Sequence, residues 1–321
     1  MTHSDNAPTP SVRFIQIDAD QAGQRIDNFL MARLKGVPRS KIYQIVRKGE
    51  VRVNKGRIKV HYKIQAGDEV RIPPVRVAQR EEIIVSKHVV RLLLDSIIYE
   101  DEDFLVLNKP SGTAVHGGSG VKSGVIETLR VARPESRFLE LVHRLDKNTS
   151  GCLLIAKKRS ALRYLQDLFR EHKIQKKYLA LVKGNVKNKS YHVELALKKS
   201  TLPSGERIVR VNKEGKHAIS DFNVIESNKV ASLYEVVIKT GRTHQIRVHA
   251  QSLSHPVAGD DKYGDDEFNL KMKTYGLKRM FLHAEKLSLK TPQGKKIHLI
   301  SPLDSSLQKV LKNLGMKKHE V

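Results

Sequence analysis

The chain of 321 residues has a single cysteine and no tryptophan. One thiol, Cys152, cannot close an internal disulfide and makes a poor metal centre. Its neighbours in Cys152-Leu153-Leu154-Ile155-Ala156 mark it as a small buried strand residue. Aromatic side chains make up only 5% of the chain, so no extended stacking platform for single strands is advertised. No run of ~18 apolar residues, signal-peptide core or lipidation motif occurs. A soluble, cytoplasmic protein with no membrane partner is therefore expected. Acidic residues are scarce as well: 34 Asp plus Glu face 59 Lys plus Arg, a formal charge of +25. An excess that large repels itself unless it meets a polyanion. Nucleic acid is the first expectation, with an anionic membrane surface as its competitor.

What is present suits about two domains. Residues 1–22 are expected to be a flexible segment, since the first dozen hold Ser, Asp, Asn and two prolines with little to bury. Ile26, Phe29, Leu30 and Leu34 then fall at helical spacing, stopped by Gly36. Pro38 opens a second helix, in which Ile42, Ile45 and Val46 form the apolar stripe and Gly49 the end. Short strands are expected at 51–54 and 69–72. Between Arg25 and Arg76 there are 14 basic and 4 acidic residues, a net +10. Any one of these cations alone is simply a solvated residue. A compact helix–helix–strand unit of this density is better explained as a phosphate-tracking surface, with Arg39, Lys41, Arg47, Lys48 and Arg52 facing the RNA. The stretch from Arg25 to about Pro73 resembles the S4-type RNA-binding module, within a domain expected to span 23–76. Residues 77–95 read as a linker, and 96–321 as the larger domain.

In that domain, apolar runs at 97–100 and 104–108 flank Asp101-Glu102-Asp103 as a hairpin. Helices are expected at 124–133 and 160–172. Strands are expected at 138–142, 152–156, 178–182, 207–211, 220–225, 233–238, 280–283, 286–290 and 296–300. Many short strands with few helices argue for an α+β fold with a mainly antiparallel mixed sheet. His116-Gly117-Gly118-Ser119-Gly120 forms a glycine-rich loop without the phosphate-loop order. Its glycines either supply positive φ or let the backbone approach an RNA phosphate.

Three distant pieces carry chemistry. Asp146 lies in the turn-rich His143-Arg144-Leu145-Asp146-Lys147-Asn148-Thr149-Ser150-Gly151, between two strand-like runs. Alone it reads as a hairpin aspartate bonding its own backbone. Tyr178 starts a strand. Gly241-Arg242-Thr243-His244-Gln245-Ile246-Arg247-Val248-His249 follows another strand and turns into a helix whose first amides suit anions. A carboxylate in a partly closed pocket tends towards its neutral form, and a nearby arginine keeps it ionised and nucleophilic. Rival chemistries lack parts. No second acid sits in a comparable loop for glycoside hydrolysis, no nucleophile elbow surrounds Ser119, and one cysteine excludes zinc deamination. His244 and His249 are five apart rather than four, so no helical metal pair is formed, and no metal is expected.

In this order, Leu107-Asn108-Lys109-Pro110-Ser111-Gly112, His143-Arg144-Leu145-Asp146 with Thr149-Ser150-Gly151, Lys177-Tyr178, Gly241 to Arg247 and Phe281-Leu282-His283-Ala284 resemble the RluA family of RNA pseudouridine synthases. Within it, the likeness is to the branch that modifies large-subunit ribosomal RNA. It runs from about Val12 to Leu311. The resemblance implies a pseudouridine synthase catalytic domain behind an S4-like α/β RNA-binding domain. It implies Asp146 as the catalytic aspartate and Tyr178 as the ring that stacks on the target base and assists proton removal from C5. Arg242 becomes the arginine paired with the aspartate, and Arg144 the side chain filling the gap left by the extruded base. His143, Lys109, His116, His244 and Arg247 are expected to contact RNA beside them. Lys147 and Asn148 depart from the Arg-Asp common at those positions, which bears on backbone contacts to the RNA. The implied partner is 23S ribosomal RNA or a large-subunit assembly intermediate, with a monomeric enzyme and no cofactor. A non-catalytic ribosomal RNA-binding factor and an RNA glycosylase are the competing readings.

Overall fold

The computed structural model describes residues 11–34, 36–75, 85–118, 123–186, 188–203 and 206–317. The chain divides into two units, Met1–Glu82 and Ile83–Val321. In the first lie strand β1 (Arg13–Gln16), helices α1 (Ile26–Arg33) and α2 (Arg39–Arg47), and strands β2 (Arg52–Val53), β3 (Gly56–Arg57) and β4 (Glu69–Ile72). The two helical stripes meet in one core: Ile26, Phe29, Leu30 and Leu34 pack with Ile42, Ile45 and Val46 against Val53, Val70 and Ile72. Gly49, at φ +72°, takes the left-handed conformation that ends α2. Arg39, Lys41, Arg47, Lys48 and Arg52 are all exposed. Arg39 also donates to the Tyr43 hydroxyl from Nη2 at 2.8 Å, and that hydroxyl donates to buried Asp27 at 2.9 Å.

Part of the segment expected to be flexible is sheet. β1 pairs antiparallel with β4, from Arg13↔Ile72 to Gln16↔Glu69, and forms the edge of the order β1-β4-β2-β3. Three of its four residues are exposed, so it carries no apolar alternation to signal it. Residues 1–10 lie outside the described residues.

The second unit contains α3 (Lys87–Asp95), β5 (Ile97–Glu100), β6 (Phe104–Lys109), α4 (Val125–Ala132), β7 (Glu140–Leu141), β8 (Ser150–Ala156) and α5 (Arg159–Arg170). It continues through β9 (Gln175–Lys183), β10 (Ser190–Thr201), β11 (Arg207–Val211), β12 (Lys216–Ser227), β13 (Ala231–Ile238) and α6 (Gln245–Ser252). α7 (Asp266–Thr274), β14 (Leu282–Lys290), β15 (Lys296–Ile300) and α8 (Ser305–Asn313) complete it. The sheet runs β11-β10-β12-β13-β9-β14-β8-β6-β5, with β15 on β14 and β7 on β8. Among the described strands only β14 and β8 pair in parallel. This is the mainly antiparallel mixed sheet expected.

Alternation along β9 sets the layers, because successive side chains of a strand point to opposite faces. Tyr178, Ala180 and Val182 join the core covered by α4 and α6, through Val125, Ile126, Leu129, Ile246 and Ala250. Leu179 and Leu181 join the opposite core, covered by α7 and α8 through Phe268, Met272, Leu307, Val310 and Leu311. Cys152 is buried on β8, in the core closed by Leu165 and Leu168 of α5.

Three differences from expectation have physical causes. The 77–95 linker contains α3, whose N-cap Ser86 side chain accepts from Val89 N at 3.3 Å, while Leu93 is buried. Residues 76–84 lie outside the described residues. The runs at 280–283 and 286–290 belong largely to one strand, β14, with a register shift between Ala284 and Lys286. Helix α7 and the long strand β10 carried too few apolar residues to signal themselves: in β10 only Val193 and Leu197 are buried.

Candidate active site

Asp146 lies on the connection between β7 and β8, which pair antiparallel at Glu140↔Ala156 and Leu141↔Ile155. The turn is closed locally by Thr149 N donating to the Asp146 carbonyl at 3.1 Å. The end of β6 staples it from beneath. Gly112 N donates to the Lys147 carbonyl at 2.9 Å, and Ser111 Oγ to the Asn148 carbonyl at 2.7 Å. Lys109 Nζ, fully buried, donates to the carbonyls of Pro110 and Thr113 at 2.9 Å each and of Lys147 at 3.1 Å. Lys109 therefore anchors the aspartate loop and is closed to RNA, contrary to its sequence expectation. Burial pushes its ammonium down to about 7, with Asp146 opposing and Arg279 adding to the shift.

Downstream of the loop, Ser150 Oγ accepts from Arg279 Nη2 at 3.1 Å and faces His283 Nδ1 at 2.9 Å. His283 Nε2 lies 2.8 Å from the Ser301 carbonyl and donates to it. Gly151 follows with φ +109°, and a Cβ there would stand 2.2 Å from the Ala284 carbonyl oxygen. Only glycine permits β14 to lie this close beside the loop. His143 is likewise structural. Its Nε2 accepts from Leu154 N at 3.1 Å and its ring stacks on Phe169 at 4.8 Å. Burial, helped by the Lys176 charge, pushes it down to about 4. Half-buried and held by these contacts, it props the loop from within and is not the exposed RNA contact expected.

Arg144, Asp146, Tyr178, Arg242, His244 and Arg247 all line one cleft, with Leu145, Ile238, Ile246 and Leu282 as its apolar wall. The Asp146 carboxylate meets two basic groups there. Arg247 Nη1 stands 3.6 Å from its Oδ2, and His244 Nε2 stands 3.9 Å from the same oxygen. Arg242, expected to be that partner, is exposed, and its Nε donates to the His217 carbonyl at 3.0 Å. The choice between the two arginines follows from where the helix begins. His244 holds φ +55° immediately before α6. Gln245 pins that start, accepting from Thr240 Oγ1 at 2.7 Å and Arg242 N at 3.0 Å and donating to the Ile219 carbonyl at 2.8 Å. Arg247 then points inward from the first turn.

Arg247, expected at the RNA, is 5% exposed. Its Nε and Nη2 donate to Asp260 Oδ2 and Oδ1 at 2.6 and 2.7 Å. Burial alone would raise the Asp260 carboxyl, but the two bonds and the charge of Arg247 hold it below the usual carboxylate range. Burial raises the Tyr178 phenol, and the Asp146 charge raises it further. His244 is lowered by burial, against Asp146 and with Arg247. His116 is exposed beside the glycine-rich loop, where Glu127 Oε2 accepts from Gly117 N and Gly124 N at 2.9 and 2.8 Å. Residues 119–122 of that loop lie outside the described residues. Sequence reasoning missed Asp260 and Tyr263. No signal in the sequence singled them out, since Asp260-Asp261 is one of several adjacent acidic pairs, Asp101-Glu102-Asp103 and Asp265-Asp266-Glu267 among them.

Comparison with known proteins places this cleft in context. Residues 103–252 match the model of the RNA pseudouridylate synthase family, and residues 24–70 match that of the S4 domain. The chain is 58% identical to a protein of Salmonella typhimurium named ribosomal large subunit pseudouridine synthase C, over 97% of this chain and 99% of the relative. A protein of the same name from Yersinia pestis is 55% identical, over 97% of each chain. Among solved structures, human RNA pseudouridylate synthase domain containing 4 superposes with a TM-score of 0.61 at 25% identity, covering 72% of this chain and 97% of that one. The Asp146 cleft, the S4 unit before it and these likenesses place the chain in the RNA pseudouridine synthase family.

Proposed function

We propose that this pseudouridine synthase acts on uridines of large-subunit ribosomal RNA, with Asp146 as its catalytic carboxylate and Tyr178 as the platform for the target ring. The observation that carries the reading is the sheltered carboxylate with Arg247 Nη1 and His244 Nε2 both directed at Oδ2. That arrangement engages Oδ2, and Oδ1 has no ion-pair partner among the described residues. The reaction breaks N1–C1′, turns the uracil ring and joins C5 to C1′. The proton on C5 leaves and N1 gains one, so atoms balance without a redox partner. Asp146 either attacks C1′ or removes a ribose proton on the way to a glycal. A target uridine must leave its stack to enter the cleft, at a cost of a few kcal/mol that RNA binding offsets. The apolar wall of Leu145, Ile238, Ile246 and Leu282 suits the uncharged base. With its phenol raised, Tyr178 works as a protonated ring and not as a phenolate base. Arg144 is exposed at the cleft, where it can follow the displaced strand.

The test is release of tritium from ribosomal RNA labelled at uridine C5. Asp146→Asn is expected to reduce release to background while the Kd for RNA changes less than about twofold. Wild-type turnover in this variant refutes the assignment.

A further inference from the structure

We infer that His244 is a positioning residue for the reaction, held by Tyr263 as the Nε2–H tautomer so that it aims a donor at Asp146 Oδ2. The inference rests on Asp146 being the catalytic carboxylate.

The proton can be placed by following the donors. Val209 N donates to the Tyr263 hydroxyl oxygen at 2.7 Å, and that oxygen lies 2.8 Å from His244 Nδ1. Tyr263 is 5% exposed, and these are the partners of its hydroxyl among the described residues. If Nδ1 carried the proton, the tyrosine O–H would have no acceptor in a buried place, which is costly. The O–H therefore points at the Nδ1 lone pair, and a neutral ring carries its proton on Nε2. The alternative tautomer would also turn a lone pair towards the carboxylate.

The surroundings keep the ring neutral and in place. Burial lowers its pKa, Arg247 and Lys262 reinforce the shift, and Asp146 and Asp260 oppose it. Tyr263 meets the imidazole edge-on, with ring centres 5.4 Å apart. Tyr263 is itself fixed by Asp260, whose Oδ1 accepts from Tyr263 N at 3.0 Å and from Arg247 Nη2 at 2.7 Å. One buried carboxylate thus sets both groups that face Asp146. His244 also holds left-handed backbone at φ +55°, a conformation that costs a residue with a Cβ and is retained where function requires it.

The experiment labels the histidine rings with 15N and records long-range proton–nitrogen correlations on the full chain near pH 7.5. The His244 signal is assigned by its absence from the His244→Gln variant. The expected pattern is a protonated Nε2 and an unprotonated Nδ1. An Nδ1–H ring or an imidazolium overturns the inference whatever the turnover, so its failure is distinct from failure of the Asp146 assignment. Kinetics give a second readout. Glutamine places an amide N–H near the Nε2 position, whereas asparagine reaches only to Nδ1. Asparagine tolerates left-handed backbone better than glutamine, so a purely structural role ranks Asn above Gln. The positioning role predicts the reverse, with kcat of His244→Gln about tenfold above that of His244→Asn at similar KM. Equal values or the opposite order overturn it.

Discussion

Replacing Lys109 by methionine keeps the length of the side chain and removes three donors from beneath the Asp146 loop. The Lys147 carbonyl retains Gly112 N at 2.9 Å. The Pro110 and Thr113 carbonyls lose their only donor among the described residues. Each buried acceptor left without a partner costs ~1–3 kcal/mol. Pro110 is exposed and Thr113 half-buried, so water compensates in part. The methionine also avoids the burial that lowers the ammonium to about 7. Both offsets favour the lower end, a net loss of about 2 kcal/mol. For a domain of this size that lowers Tm by roughly 4–8 °C.

The effect on turnover should exceed the effect on stability. Lys109 is buried, so KM should hold while kcat falls as the loop shifts. A displacement of ~1 Å costs on the order of a hundredfold. Urea unfolding and tritium release on the same preparation measure both quantities. Wild-type stability together with wild-type kcat would show that the three hydrogen bonds do not hold the loop, and would refute the reasoning.

Other perturbations test other parts. Asp260→Asn leaves the buried Arg247 without its carboxylate and should cost about 3–5 kcal/mol in urea unfolding, with kcat reduced as Arg247 moves onto Asp146; an unchanged unfolding midpoint contradicts this. His143, His249 and His283 are each pushed by burial to about 4. Their folded values lie below the unfolded value near 6.5, so the stability they contribute is complete above that pH and is lost as pH falls towards 4. Urea midpoints should decline already between pH 6.5 and 5, before most carboxylates titrate; a flat profile across that window would count against neutral buried rings. In the S4 unit, Arg47→Ala with Lys48→Ala should weaken RNA binding uniformly and flatten the slope of log K against log salt by about 1.4–1.8. A wild-type slope would place those two cations away from phosphate.

The sequence displayed chemistry more readily than burial. Asp146 was legible because a turn cluster between two apolar runs marks a short loop mounted on a sheet, and Tyr178 because it starts a strong strand. Lys109 and His143 were expected at the RNA because they lie in the motifs that carry the resemblance. β6 is buried on both faces, so its last residue is carried inside with the others. The error over Arg242 and Arg247 has a different cause. Both lie in one motif, and which faces the cleft depends on a helix that begins at Gln245 after a left-handed histidine. A reading of periodicity cannot place such a start within one residue. α8 was the more recoverable omission. Asp304 caps it by accepting from Leu307 N at 3.1 Å, and Leu307, Val310 and Leu311 keep helical spacing.

Asp260 gives the cleft its electrostatic character. A guanidinium bonded bidentately to Asp146 would occupy both oxygens of the proposed catalytic carboxylate. Here the bidentate face of Arg247 is directed to Asp260 at 2.6 and 2.7 Å, and Asp146 receives only Nη1 at 3.6 Å. Asp146 thus receives the long-range part of the attraction, which falls slowly with distance in a sheltered site. The short directional part is taken up by Asp260. From this arrangement Arg247→Lys is expected to lower kcat in the tritium-release assay. A single ammonium has no fork with which to hold Asp260 while facing Asp146.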